Sequence, residues 1–472
     1  MIPRTRAYEE SLMSKTYRPY EPDQILLLPP SLRDWLPKGH LGHFIEKVSL
    51  HLDLQTITKV YEREERGHPP YNPMMMVRVL LYAYCVGNPS SRRIARGMVE
   101  DVAFRMLGAN NSPDFRTIAG FRRRHLEALR GLFVQVLLLC QEAGLVRMEH
   151  VAIDGTKLKA NASKHKAMSY ARMKEEAKRL RAKVDKWFED AEATDRAEDE
   201  LYGPDKRGDE PSGEWVDPEA RLKKIEETLA ALEREAREAA EAKKKEGARR
   251  EGDGKRRGRK PKAPDPTPAA KAQKNFTDPE SRIMPSSGEK GSYLQGYNCQ
   301  AAVDSETQVI VAADVTQESN DKKQAVPMLE QAITNTGSVP EKSSMDAGYF
   351  SESNVEGVSG LGSEPFIPPD RQKHGDGVPV APRGRIPKGL SVADRMRRKL
   401  KTKLGRAVYA LRKVTAEPVF GQVKQGRGFR QFLLRGLAKV KGEWALICTG
   451  HNLLKLWRAR CLGPPCGGLS TG

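Results

Sequence analysis

Cysteine is scarce and scattered. Cys85, Cys140, Cys299, Cys448, Cys461 and Cys466 form no CxxC pair and no Cys/His cluster at zinc-finger spacing. That excludes a structural zinc and a dithiol redox motif, and the thiols read as reduced. Long apolar runs are also missing. The longest, GLFVQVLLLC, has about ten residues, too few to span a bilayer. The opening MIPRTRAYEE has no signal-peptide apolar core, so the chain reads as cytoplasmic, with no membrane partner. There is no GxxxxGK[ST] loop or HExxH, and the one GxSxG match, Gly468 to Gly472, lies in the tail with no strand-like run before it to form a nucleophile elbow. A nucleotide cofactor, zinc hydrolysis and serine-esterase chemistry are therefore not expected. Acidic residues are in deficit too: Asp+Glu is 62 against Lys+Arg 81, a formal net charge of +19. Such an excess favours a polyanionic partner through counterion release.

Against that background three acids stand out. Asp154 lies in VAIDGTKLKA and Asp346 in SSMDAGYF, each after a short apolar run with β character. Both are expected at strand exits, where α/β folds place ligands. Gly155 permits close backbone approach, and Lys157 and Lys159 stand ready for phosphates. Glu417 lies in TAEPVFGQVKQGRGF, a helical stretch followed by Lys424, Arg427 and Arg430. Pro418 requires that a helix start there or a longer one kink there. Lys424, seven residues on, falls two turns away on nearly the same face. Carboxylates of this kind suit Mg²⁺, which takes oxygen ligands and keeps several waters. Two such ions about 4 Å apart would stabilise both oxygens of an in-line phosphoryl displacement.

The organisation is α/β with additions. Residues 1–145 carry apolar residues at helical spacing, punctuated by proline. Within them SSRRIARGMVEDVAFRMLGANNSPDFRTIAGFRRRH reads as two or three short helices, the last capped by Ser112 or Asp114. Arg116, Arg122 and Arg123 on that helix fit a helix-turn-helix-like DNA reader, and equally a bundle with a basic solvent face. Residues 146–164 and 276–458 carry the α/β pattern. Between them, residues 165–245 hold two heptad seams: Met173, Ala177, Leu180, Val184, Trp187, then Leu222, Ile225, Leu229, Leu232, Ala236, Ala239. They read as an inserted antiparallel coiled-coil hairpin. Residues 246–275 read as a basic Pro-rich linker, whose Arg257 and Arg259 resemble an AT-hook for the minor groove. A helical tract is expected over 391–424, then a helix pair, and a disordered tail over 459–472.

Taken together, DGTKLKANAS, DAGYF and EPVFGQVK with RGFRQFLLRGLAKVKGEWALICTGHNLLKL resemble the DDE transposases of bacterial insertion sequences, in the RNase H-like integrase superfamily. The resemblance implies an RNase H-like mixed sheet flanked by helices and interrupted by the insertion. It implies Asp154, Asp346 and Glu417 as catalytic metal ligands for two Mg²⁺ ions, with Mn²⁺ as a substitute. Many relatives carry a Tyr-Arg-Glu-Lys signature. Glu417 and Lys424 fit it. Tyr409 and Arg412 keep their mutual spacing but stand one residue too far from Glu417, with Lys413 in the Arg position. On a continuous helix Lys413, at i−4, is expected to face the site better than Arg412; a break at Pro418 would remove that preference.

The implied reaction is cleavage and strand transfer at the ends of the element, without a covalent protein intermediate. Its partners are double-stranded DNA (terminal inverted repeats and target) and further copies of the chain, in a nucleoid-associated setting. The alternatives are an RNase H-like nuclease that joins nothing, and an inactive DNA-binding relative acting as a repressor.

Overall fold

The computed structural model describes residues 31–62, 69–202, 218–251, 263–286, 291–371 and 389–462, together with 384 and 387. The expected AT-hook arginines Arg257 and Arg259, the opening decapeptide and the last ten residues lie outside them.

Seven helices come first: α1 (Leu41–Ser49), α2 (Gln55–Glu62), α3 (Pro73–Cys85), α4 (Ser91–Glu100), α5 (Val102–Leu107), α6 (Phe115–Arg124) and α7 (Leu126–Glu142). Local chemistry sets their starts. Asn72 caps α3 with Pro73 in its first turn, Asp101 caps α5, and Asp114 rather than Ser112 caps α6. Arg122 turns inward from α6. Its guanidinium donates to the Pro89 carbonyl at 2.7 Å and the Ser91 hydroxyl at 3.2 Å.

The sheet begins with β1 (His150–Lys159). Then come β2 (Ala167–Ser169), the long helices α8 (Tyr170–Tyr202) and α9 (Pro218–Glu251), and β3 (Gln273–Asn275), which pairs antiparallel with β2. α8 and α9 bury Met173, Ala177, Leu180, Ile225 and Leu232 in a small apolar cluster apart from the main core. Two ends of the stretch read as linker are thus in regular structure, 246–251 in α9 and 273–275 in β3.

β4 (Arg282–Pro285), β5 (Tyr293–Asp304) and β6 (Ile310–Thr316) follow, then α10 (Ala325–Thr336), β7 (Lys342–Ser344), α11 (Glu352–Gly360) and β8 (Glu364–Phe366). α10 stops at Gly337, whose φ of 69° suits glycine. The six-stranded sheet runs β4-β5-β1-β7-β8, with β6 also on β5. β5 is antiparallel to β1, whereas β1, β7 and β8 are parallel, so the fold is mixed α/β.

The expected single tract over 391–424 is two helices, α12 (Val392–Lys401) and α13 (Lys403–Gly421). Thr402 separates them and its hydroxyl caps α13 on Gly405 N–H at 3.0 Å. The expected terminal helix pair is one helix, α14 (Leu437–Leu462). Its glycines mark close approaches, not breaks. A Cβ on Gly442 would sit 2.7 Å from the Leu126 side chain, and one on Gly450 would sit 3.1 Å from the Tyr84 backbone. One continuous apolar core joins α1–α7, the sheet and α14, with Trp444 fully buried in it. Among the described residues no helix is long and apolar enough to cross a membrane.

Candidate active site

β1 does not end at Asp154. It continues to Lys159 because β5 pairs with it throughout, Asp154 opposite Ala301. On its other edge the ladder with β7 stops at Ala152↔Ser344. Asp154 is two residues past Ala152 and Asp346 two residues past Ser344, so both acids leave a parallel strand pair at matching positions. An exit thus exists on one side only.

Each acid is fixed locally. Asp154 Oδ1 accepts from Gly155 N–H at 2.8 Å. Asp346 Oδ1 accepts from Gly348 N–H at 2.8 Å and caps the short 3-10 turn Ala347–Tyr349. Burial pushes the Asp154 carboxyl up to about 7; Arg412 opposes that shift, and the charges of Asp346 and Asp321 add to it. Burial also holds the Tyr349 phenol well above its ordinary value, with the same three acids adding to it.

α13 lies across the exit. Arg412 Nη1 donates to Asp154 Oδ2 at 2.9 Å, and Nη2 stands 3.6 Å from Glu417 Oε1. Its guanidinium also lies 5.5 Å from the Tyr409 ring centre. Burial works against the charge of Arg412, but Asp154, Tyr409, Asp346 and Glu417 outweigh it and raise its pKa. Arg412, not Lys413, is therefore the residue facing Asp154; Lys413 points to solvent. The reason is the buried face of α13, which is Val408, Arg412, Thr415, Ala416 and Val419. Glu417 sits at its edge, 58% exposed, and the long arginine spans from that face to both acids.

Pro418 neither starts nor ends α13 but lies inside it. Lacking an N–H, it leaves the Val414 carbonyl without a helical partner, and Gln308 Nε2 donates there instead at 3.0 Å. A π turn over Gln422–Gly426 follows and carries Lys424. Lys424 is half-buried near Cys299, and burial lowers its pKa.

The other basic residues are dispersed. Arg430 is exposed and bonds Gln425. Lys159 is exposed and Lys157 half-buried, and the Lys159 backbone bridges to Gln431. Arg116 and Arg123 are exposed on α6. Arg427 is turned inward like Arg122, donating to the Ile447 carbonyl at 3.0 Å and lying over Phe429. Neither inward arginine can reach a phosphate as folded.

Among the described residues no three His, Cys, Asp or Glu side chains are gathered closely enough to hold a metal alone. Mg²⁺ does not need that: one or two carboxylates, waters and a substrate phosphate serve it. Asp154 and Asp346 are hard oxygen donors at matching register, so the pair suits such an ion. The sequence reading missed Asp321. It lies in the polar loop QESND after β6, with no apolar run directly before it, so the pattern that marked Asp154 does not mark it.

Two family models match the chain. Residues 384–457, with Arg412, Glu417 and Lys424, match a transposase DDE domain. Residues 30–124 match a second model, Transposase domain (DUF772). Both matches indicate a DDE transposase of an insertion sequence. Asp154 and Asp346 lie outside both matched segments. No curated protein and no solved structure matches the chain.

Proposed function

We propose that this protein cuts and joins DNA at the ends of its own insertion sequence, using Asp154, Asp346 and Glu417 in an RNase H-like core split by the α8–α9 insertion. The observation that carries the reading is the matched register of Asp154 and Asp346, with Glu417 and Arg412 on the helix that crosses them. Two divalent ions, Mg²⁺ or Mn²⁺, would be held by Asp154 and Asp346, with Glu417 completing the set; when bound they activate water and steady the leaving 3′ oxygen. The protein's own groups position the rest. Asp154 and Asp346, anionic themselves, would set the place of the cations over the end of the β1–β7 pair and make no direct bond to the scissile phosphate. Arg412 balances Asp154 before DNA arrives, and afterwards its guanidinium is free to turn to a phosphate. Lys424, Arg430, Lys157 and Lys159 track the backbone beside the cut. Lys413 lies farther out on the same helix.

The helical residues 1–145 would hold the terminal repeat, with Arg116 and Arg123 on α6 facing DNA. The α8–α9 pair is read as a coiled-coil hairpin that contacts DNA or a second copy, since pairing two ends calls for an oligomer.

A cleavage assay tests the reading. DNA bearing the sequences that flank the gene, with Mg²⁺ or Mn²⁺, should be cut at the element ends and yield joined products. Asp154→Ala, Asp346→Ala and Glu417→Ala should bind this DNA but leave it intact. An Asp154→Ala protein that cuts at the wild-type rate sinks the assignment. Cutting without joined products moves the protein to the nuclease reading.

A further inference from the structure

The loop after β6 carries an acid that the roles above do not use. Asp321 Oδ1 accepts from Asn298 Nδ2 at 2.7 Å and from Gln300 Nε2 at 2.8 Å, both on β5. Its other oxygen accepts no hydrogen bond among the described residues and lies toward the Asp346 turn. A Cβ on Gly348 would sit 3.5 Å from Asp321 Oδ2 and 2.9 Å from Asp346 Oδ1. Gly155 makes room for the same group. A Cβ there would sit 2.5 Å from Gln300 Nε2 and 2.9 Å from Asp321 Oδ1, closer than real side chains tolerate. Gln300 Oε1 in turn accepts from the Tyr349 hydroxyl, inside the turn that Asp346 caps. Gly155 therefore leaves space for Asp321 and its partner Gln300, while Gly348 leaves space for the Asp346 carboxylate beside it.

We propose that Asp321 is a positioning residue of the cation site: Oδ1 fixes the Asn298 and Gln300 amides beside Gly155, and Oδ2 accepts from waters that a hydrated divalent ion keeps. This rests on the reading of Asp154 and Asp346 as metal ligands. Mg²⁺ and Mn²⁺ retain waters that need acceptors in fixed places, and outer acceptors of this kind typically set metal affinity by about 10–100-fold. An amide bound to Oδ1 holds the carboxylate still, so the second oxygen meets the water without further ordering.

The test uses full-length, metal-free protein bound to a short duplex of its element end, with the same duplex alone as the baseline, and Mn²⁺ itself, followed by the electron paramagnetic resonance signal of the unbound ion. Asp321→Asn keeps an oxygen for the two amides and removes the charge of Oδ2. Its Mn²⁺ affinity should fall at least about tenfold with an unchanged melting temperature, while Asp154→Asn should lose the tight site. If Asp321→Asn melts early, Asp321→Ser, which leaves room for a water, is judged by the same affinity criterion. Wild-type affinity in the Asp321 variant beside loss in Asp154→Asn overturns the role of Asp321 alone. A wild-type protein that binds no Mn²⁺, or an Asp154→Asn protein that binds it normally, overturns the site reading and this inference with it.

Discussion

Arg412 Nη1 donates to Asp154 Oδ2 across 2.9 Å, joining residues 258 positions apart in the chain. The pair is largely buried, with side-chain exposures of 9% and 15%. Removing one partner of such a pair leaves a charge without compensation. Arg412→Ala should therefore cost about 3 kcal/mol at pH 8 in metal-free protein, read by urea unfolding. At pH 5 the cost should shrink, because Asp154 is then protonated. An equal loss at both pH values would show that packing, not charge, dominates.

The Asp154 carboxyl rises from 3.8 to about 7 on folding, mainly by burial. A raised acid contributes stability that is fully present below the unfolded value and is lost as pH climbs to the folded one. Metal-free wild-type protein should thus lose stability relative to Asp154→Asn between about pH 4 and 7, at about 1.4 kcal/mol per pH unit. Matched denaturant series would measure it, and a pH-independent difference would contradict the burial argument. In the same window Mn²⁺ binding should release a proton and strengthen up to about tenfold per unit.

Among the basic residues past Glu417, exposure separates Arg430 from Arg427. Arg430→Ala should weaken DNA binding and reduce the slope of log K against log salt by about 1. Arg427→Ala should instead lower the melting temperature, since its guanidinium braces the Ile447 carbonyl and Phe429. Filter binding at several salt concentrations distinguishes them, and an unaltered slope for Arg430→Ala removes it from the DNA face.

Gln308 supplies the hydrogen bond that Pro418 cannot. Gln308→Ala should destabilise the protein by about 1 kcal/mol. In a Pro418→Ala background the cost should be smaller, because residue 418 then donates to Val414 itself. A double-mutant cycle that finds the two changes additive refutes this coupling.

Asp154 was legible because it follows the apolar run VAI, and Asp346 because DAGYF carries the family resemblance, although the SSM before it is mostly polar. Their matched register was not, since it depends on where β7 stops pairing with β1. On α13 the i−4 rule favoured Lys413, yet the face that packs on the sheet is set by Val408, Ala416 and Val419, which turns Arg412 inward. Arg122 and Arg427 looked like phosphate contacts because sequence reports charge and not the neighbouring carbonyls that bind it. The three-residue strands β2 and β3 carry almost no periodicity, so their pairing across the insertion left no trace in the sequence.

That small β2–β3 ladder has a consequence for how the chain is made. Val151, Ala152 and Ile153 are fully buried, yet their antiparallel partners are Asp304, Val303 and Ala302. At typical translation speeds β1 leaves the ribosome on the order of ten seconds before β5 exists. Until then an apolar strand waits with an open edge, a hazard for self-association. The intervening α8–α9 pair can form from contacts within itself and draw Ser169 to Gln273. It then works as a splint, shortening the effective loop that β1 and β5 must close. A deletion that keeps every residue of the catalytic centre but trims this splint asymmetrically should yield soluble protein poorly, a failure of synthesis and not of chemistry.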